Sequence, residues 1–437
     1  MRAPIPFLQI SGGLLLTTPT TTSLTAFSLD SGVEVWNFEI APAPPAENQP
    51  QAKKRKISEA EPQEAAAKPV EETKVEPAPA AVVEPAAAPA PSASTGKKAE
   101  PRNRPFIRED QIRQVSSIHS CDAEDGTGYV AIGMTDKRFL VLSIKEGQTE
   151  PQVIYAITVP KRPSSIKVVP GDSLVLYCDK FGDVFSLPLP TSPPSELPTP
   201  VLVLGHVSML LDLDYARLPT DPTKKVILTS DRDEHIRITR YPQGHVIEGY
   251  LLGHTQFVNN ICVIQGKSDL AVSGGGDGEL KLWKWWSEKK EIGSLNLNSV
   301  LGDEGEDGTT DRTVKGIWQI GDSGKIAVAI EKVAKLLIFD VTDAGFKVLG
   351  NVDLKGNALC AVFDIKKNVS YVSIDPEQDG TVALQKISLE TFQIVEDEQV
   401  QTINDVTATK DEGYKAQWGE LYKAKILRKF EGEDGGN

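Results

Sequence analysis

Residues 252–285 read LGHTQFVNNICVIQGKSDLAVSGGGDGELKLWKW, and residues 204–241, LGHVSMLLDLDYARLPTDPTKKVILTSDRDEHIRITRY, repeat the same parts in the same order. Each segment opens on Gly-His and continues through an alternating strand and a variable turn. A second strand follows, ending near a Ser or Thr, then a tight turn bearing Asp, then a third strand. His254 precedes Asp277 by 23 positions and His206 precedes Asp233 by 27. A unit of about 40 residues with this order of parts is one four-stranded blade of a WD40-type β-propeller.

Working outward, the same rhythm of strand, Asp turn and strand recurs at 14–39, 129–144, 173–189, 325–341 and 368–389. With the two clear repeats, these predict an all-β, seven-bladed WD40-type propeller carrying a long inserted loop. Residues 1–40 form the first blade and 106–400 the remaining blades. Between them, 41–105 is dominated by Ala, Pro, Glu and Lys and contains no aromatic residue. Such a stretch cannot bury enough apolar area to offset chain entropy, so a disordered insertion is expected. It holds a compact basic cluster, Lys53, Lys54, Arg55 and Lys56, which on a flexible segment has the form of a nuclear import signal. In the tail, 401–437, Tyr414, Trp418, Leu421, Tyr422 and Ile426 recur at three- and four-residue spacing, which predicts a short amphipathic helix.

Composition narrows the function. No run approaches the roughly 20 apolar residues that span a bilayer, so no membrane association is expected. The four cysteines stand singly, without the CxxC or Cys/His spacing of a zinc site, so no metal is expected. The net charge of −14 disfavours an independent grip on nucleic acid, which needs a basic face.

His254, Ser273, Asp277 and Trp283 fall where a blade places an internal hydrogen-bond relay, since buried polar groups must satisfy one another. His206, Thr229 and Asp233 would form a shortened relay, with Thr239 in the Trp position. A His/Asp/Ser set also resembles a catalytic triad, but its recurrence in two blades marks it as structural, and no catalytic residue is assigned. SGGGDG (273–278) lacks the Lys and helix of a phosphate loop and is expected to be a turn.

The segment 231–241 is less generic. Five charges in 231–237 exceed what a blade needs, and alternation puts Ile236 and Ile238 on one face with His235, Arg237 and Thr239 on the other. An Arg-centred interface is the sharper reading, because a guanidinium pairs planar carboxylates bidentately. A solvated, self-paired blade edge is the simpler one.

The string SDRDEHIR, followed by YP, an intervening IE and LGHTQFV (230–258), resembles the WD-repeat, non-catalytic subunit of the tRNA (guanine-N7)-methyltransferase, fungal members above all. The resemblance implies a scaffold that binds and stabilises a separate catalytic subunit as a heterodimer. That partner would use S-adenosylmethionine to methylate N7 of guanosine 46 in tRNA. This chain would hold no cofactor, would meet tRNA mainly through the partner and would reside in the nucleus. Carried over by position, Arg237 would contact an acidic partner residue, supported by Asp231, Arg232, His235 and Arg240. Human-type members carry Lys at the position of His235. Consistently, no Gly-rich loop in a βαβ setting offers a nucleotide site here. Two other readings share the blades: a different nuclear WD40 adaptor, in ribosome assembly or as a ubiquitin-ligase substrate receptor, and a propeller hydrolase with carboxylates or metal in its channel. On the scaffold reading, Arg237→Glu is expected to break the heterodimer while leaving thermal unfolding unchanged.

Overall fold

A computed structural model describes residues 5, 7–18, 22–40, 114–145, 147–267, 269–302, 312–375, 382–407, 422 and 424–428. Within them, 28 strands form seven four-stranded antiparallel sheets, each made of four consecutive strands. The blades span 8–39, 115–158, 163–205, 210–251, 258–296, 314–353 and 357–395. The innermost strand of each blade lies beside that of the next, and the seventh beside the first, so the ring closes without exchange of a strand. Residues 41–105, with the Lys53–Lys56 cluster, and Tyr414, Trp418 and Leu421 of the tail lie outside the described residues.

The middle strands explain why alternation is weak in this chain. Gly128–Met134 and Arg138–Ile144 are buried at every position, because both faces of a blade are covered by its neighbours. Apolar clusters accordingly lie between blades rather than at one centre. Tyr129, Phe139, Tyr177 and Phe185 pack blade 2 on blade 3; Leu228, Ile236, Ile238, Trp283 and Trp285 pack blade 4 on blade 5. Outer strands are exposed edges and carry charges such as Glu34, Glu39, Lys290 and Glu291, which discourage pairing with other chains.

The Gly-His repeats do not coincide with blades. Leu204 and Gly205 end the outer strand of blade 3, whereas the rest of that repeat builds blade 4 from Leu210 onward. A sequence repeat thus begins on one blade and finishes on the next. The tail boundary moves too. The last strand ends at Val395, and a helix, Glu398–Val406, crosses the position 400/401 where the tail was expected to begin. It starts at Asp397, whose side chain caps Val400 N, and it covers the junction of blades 7 and 1 with Val400 and Ile403. Asn404 pairs like a strand: Oδ1 accepts from Ala383 N and Leu384 N, and Nδ2 donates to Leu384 O.

Inner strands have one hydrogen-bonded neighbour and one free edge, whose backbone groups would be orphaned at the seams. Side chains satisfy them. Gln9 Oε1 accepts from Ser120 N, and His119 Nδ1 from Val168 N at 3.2 Å. Asp212 Oδ2 accepts from Ile261 N at 3.1 Å and Asp214 Oδ2 from Val263 N at 2.9 Å. Asn259 Nδ2 donates to Val314 O, and the Cys360 thiol to Leu8 O. Cys178 is fully buried, and burial pushes its thiol, like that of Cys262, up to about 12.

His119 must be neutral at Nδ1 to accept the Val168 bond. Burial, and then the nearby Lys167, lower its pKa from 6.5 to about 3. The unfolded chain therefore takes up a proton that the folded chain refuses. Stability is fully present above 6.5 and falls between 6.5 and about 3, by up to about 1.4 kcal/mol per pH unit. His119→Gln keeps an acceptor but cannot titrate, so urea unfolding of that variant is expected to depend less on pH across this window. An unchanged slope would remove His119 from the seam's acid sensitivity.

Candidate functional site

In blade 5 the relay is complete. His254 Nδ1 lies 2.7 Å from Asp277 Oδ2, and Nε2 lies 2.7 Å from Ser273 Oγ, which also accepts from Trp283 Nε1 at 2.7 Å. The indole N–H only donates and cannot accept, so the Ser273 hydroxyl donates to Nε2 and the Nδ1 proton goes to Asp277. Burial opposes ionisation of Asp277, but the hydrogen bond and charge of His254, with the backbone N–H groups of Thr255 and Glu279, together outweigh it and hold the carboxyl below the usual range. Ser273 is fully buried with its hydroxyl committed on both sides. This is the arrangement of a strut, in which no oxygen is left for a nucleophile's work.

Blade 4 departs from the expected pattern. His206 Nε2 meets Thr229 Oγ1 at 2.9 Å, but Nδ1 faces Asp231 Oδ2 at 3.3 Å, not Asp233. In blade 5 three glycines separate Ser273 from Asp277; blade 4 has only Ser230 between Thr229 and Asp231. The carboxylate within reach of the histidine is therefore the one at the strand end. Asp231 Oδ1 also accepts from Asp233 N and His235 N, so one carboxylate shapes the whole turn. Glu234, with φ 75°, takes the left-handed position held by Gly278 in blade 5.

These contacts change the roles expected for 231–241. Asp231 is 3 % exposed and internal to the blade. Arg237 is only 8 % exposed: Nε donates to Thr239 Oγ1 at 3.1 Å and Nη1 to Gly205 O at 3.0 Å. Burial lowers its pKa, offset in part by Tyr250 and Asp231. Alternation was misleading here because the face opposite Ile236 and Ile238 is covered as well. Arg232 donates its backbone N–H to Met209 O and Nε to Leu427 O. Arg240 pairs with Glu248 on the neighbouring outer strand. Of the five residues expected to meet a partner, His235 and Arg240 keep open side chains, 49 % and 39 % exposed, and the His235 ring lies edge-on to Tyr250.

Four exposed apolar side chains lie on segments that adjoin the His235 turn. Val207 (108 % exposed) follows the relay histidine, Tyr250 (42 %) and Leu252 (61 %) precede the next Gly-His, and Phe181 (64 %) tips the adjoining turn of blade 3. Hydrogen bonds tie these segments together: Gly182 O accepts from His206 N, and Arg232 N donates to Met209 O in the same loop as Val207. Gly182 has φ +95°, and a Cβ there would lie 2.5 Å from His206 O, so this close approach of turn and loop requires glycine. Lys161 Nζ lies 3.9 Å from the Phe181 ring centroid. These four were missed as a group in the sequence because they belong to different blades. The available signal was Val207 and Leu252 beside Gly-His, where a loop needs no apolar side chain.

The channel holds a second constellation the sequence did not reveal. Lys167 Nζ lies 2.6 Å from Asp214 Oδ1, and Ser165 Oγ donates to Asp212 at 2.7 Å. Burial opposes the Lys167 charge, but Asp214 outweighs it and raises the pKa above the ordinary lysine value. All four Asp oxygens already accept hydrogen bonds or an ion pair, which makes this cluster part of the seam. Among the described residues no group of three or more His, Cys, Asp or Glu could hold a metal.

The comparisons agree with this architecture. A family model described as the tRNA methyltransferase TRM82 WD40 domain matches residues 16–201 and 199–395. A tRNA (guanine-N(7)-)-methyltransferase non-catalytic subunit trm82 from Aspergillus clavatus is 31 % identical over 393 residues, covering 71 % of this chain and 77 % of that protein. The Aspergillus oryzae protein of that name is 36 % identical over 314 residues, covering 60 % of this chain and 62 % of its own length. The chain therefore spans less than two thirds of that relative. Among solved structures, the RRP9 WD40 repeats align with a TM-score of 0.57 at 14 % identity, covering 86 % of this chain and 88 % of that one, a likeness of fold.

Burial of Arg237 reverses the expectation for its charge-reversal variant. Arg237→Glu would place a carboxylate against the Gly205 carbonyl in a covered site, and a loss of about 3 kcal/mol in stability is expected. Urea or thermal denaturation of the isolated chain checks this; wild-type stability would return Arg237 to the role of a surface contact.

Proposed function

The chain belongs to the tRNA methyltransferase TRM82 WD40 domain family, and from that membership we propose that it is the non-catalytic subunit of a tRNA (guanine-N7)-methyltransferase. It binds a catalytic methyltransferase subunit as a heterodimer, and that partner supplies S-adenosylmethionine chemistry and most of the contact with tRNA. The family match across all seven blades carries the reading. The chain's charge of −14 supports the division of labour, since the partner must then provide most phosphate contacts. The Lys53–Lys56 cluster supports residence in the nucleus.

The docking surface is the apolar patch of Phe181, Val207, Tyr250 and Leu252 beside the His235 turn, rather than Arg237 itself. Exposed apolar groups gathered at one place on a monomer mark an interface. The cations beside them, Lys161 and Arg232, favour a partner surface that is apolar at its centre and acidic at its rim. Arg237, Asp231 and Thr239 contribute by holding the turn that presents His235. A different nuclear WD40 adaptor would share the blades, but no observation favours it over the family match.

The test is co-expression with the catalytic subunit and purification through this chain. Val207→Asp with Leu252→Asp is expected to abolish co-elution and N7-guanine methylation of tRNA while leaving the melting temperature of the isolated chain unchanged. Val348→Asp, at a half-exposed outer-strand position in blade 6, is expected to retain both. Retained complex in the patch variant would move the interface elsewhere. Failure of the wild-type chain to capture any methyltransferase would overturn the functional reading.

A further inference from the structure

Arg312, like Arg237, is a covered guanidinium whose described hydrogen bonds go to neutral acceptors. It is 4 % exposed, yet among the described residues no carboxylate pairs with it. Its Nε donates to Asn298 Oδ1 at 3.0 Å and its Nη2 to Gly302 O at 3.1 Å, two neutral acceptors. A buried guanidinium normally has an anionic partner, because desolvating the charge is otherwise unfavourable. Two other covered cations follow that rule, Lys281 with Glu279 and Glu291 and Arg138 with Asp136, whereas Arg237 lies beside Tyr250 and Asp231; Arg312 differs from it in lining an open hollow.

Arg312 lines a hollow of about 350 Å³ on the same face as the relay loops. Thr255, Gln256, Asn296, Asn298 and Arg428 line it as well. Arg428 reaches it from the C-terminal segment, where its Nη2 donates to Gly276 O at 3.0 Å. That segment is anchored independently: Leu427 packs on Leu211 and Phe257, and the Tyr422 hydroxyl donates to Asp375 at 2.6 Å. The one carboxylate in the wall is Asp277, whose oxygens serve His254, Thr255 N and Glu279 N. Thr255 is exposed, so the hollow opens to solvent.

We infer that this hollow between blades 5 and 6 binds a phosphate group. Two guanidiniums from separate segments, together with hydroxyl and amide groups, suit an anion that offers several acceptor oxygens in different directions. A single planar carboxylate would satisfy one fork only. The phosphate comes from an RNA backbone or from the free ion. The inference goes beyond the methyltransferase reading, because the isolated chain can bind phosphate whatever its partner.

The experiment is titration of the full chain with inorganic phosphate, followed by ³¹P line broadening, and separately with a tRNA transcript at several salt concentrations. Wild-type chain is expected to bind phosphate saturably. Arg312→Gln and Gln256→Glu are each expected to weaken binding by about tenfold or more, the loss of one charge-assisted contact or the gain of one repulsion. Gln256→Glu alters a half-exposed side chain and should fold as the wild type does, which keeps the test open if Arg312→Gln does not. If the source is RNA, Gln256→Glu also lowers the slope of log K against log salt by about one. An unchanged slope with phosphate binding intact assigns the free ion. Residues 303–311 carry five Asp and Glu, and replacing them with Gly and Ser should leave phosphate affinity unchanged or raise it. Phosphate binding that appears only in that replacement, displacement of phosphate by equimolar acetate, or indifference to both point variants would overturn the inference.

Discussion

A β-propeller is organised by the free edge of its innermost strands. Each blade hydrogen-bonds within itself, so seven blades leave inner edges facing one another across seams with no ladder between them. The backbone groups there must still be satisfied. In this chain Gln9, His119, Asp212, Asp214, Asn259 and Cys360 reach across seams to supply the missing partners. Most titratable groups that look chemically active in the channel are explained by this requirement. The Lys167–Asp214 pair is the clearest case, since both Asp214 oxygens already accept from this chain.

The same constraint acts at the relay face. His254 and His206 tie the loop entering a blade to the turn between its middle strands. Fixing that turn decides which of its side chains face outward. In blade 4 Asp231 binds the turn from beneath, Arg237 braces it against Gly205, and His235 is left at the surface. The charged run at 231–237 is therefore chiefly a scaffold for presentation. The proposed docking surface draws on the apolar groups beside it, because exposed charges contribute little to affinity compared with buried apolar contact.

Closure of the ring rests on different physics from the rest. Adjacent blades 7 and 1 share no strand, and blade 7 has an outer strand of only two residues, Ile394–Val395. The helix Glu398–Val406 compensates. It buries Val400 and Ile403 at the junction, and Asn404 and Gln399 satisfy backbone groups of the two blades. Leu427, Arg428 and Tyr422 add contacts to blades 4, 5 and 7.

The blade count, the order of strands, the blade 5 relay and the family were legible in the sequence, because each depends on local pattern. A strand-turn-strand period recurs at about 40 residues, and His254, Ser273, Asp277 and Trp283 sit at intervals that one blade imposes. The resemblance at 230–258 was legible for the same reason. Asp231 in place of Asp233, the burial of Arg237, the patch of Phe181, Val207, Tyr250 and Leu252, and the hollow around Arg312 were decided only by tertiary structure. Each is assembled from residues on different blades or on the returning C-terminal segment. Exposure and charge pairing at such places depend on what the neighbouring blade covers, and no periodicity along the chain records that.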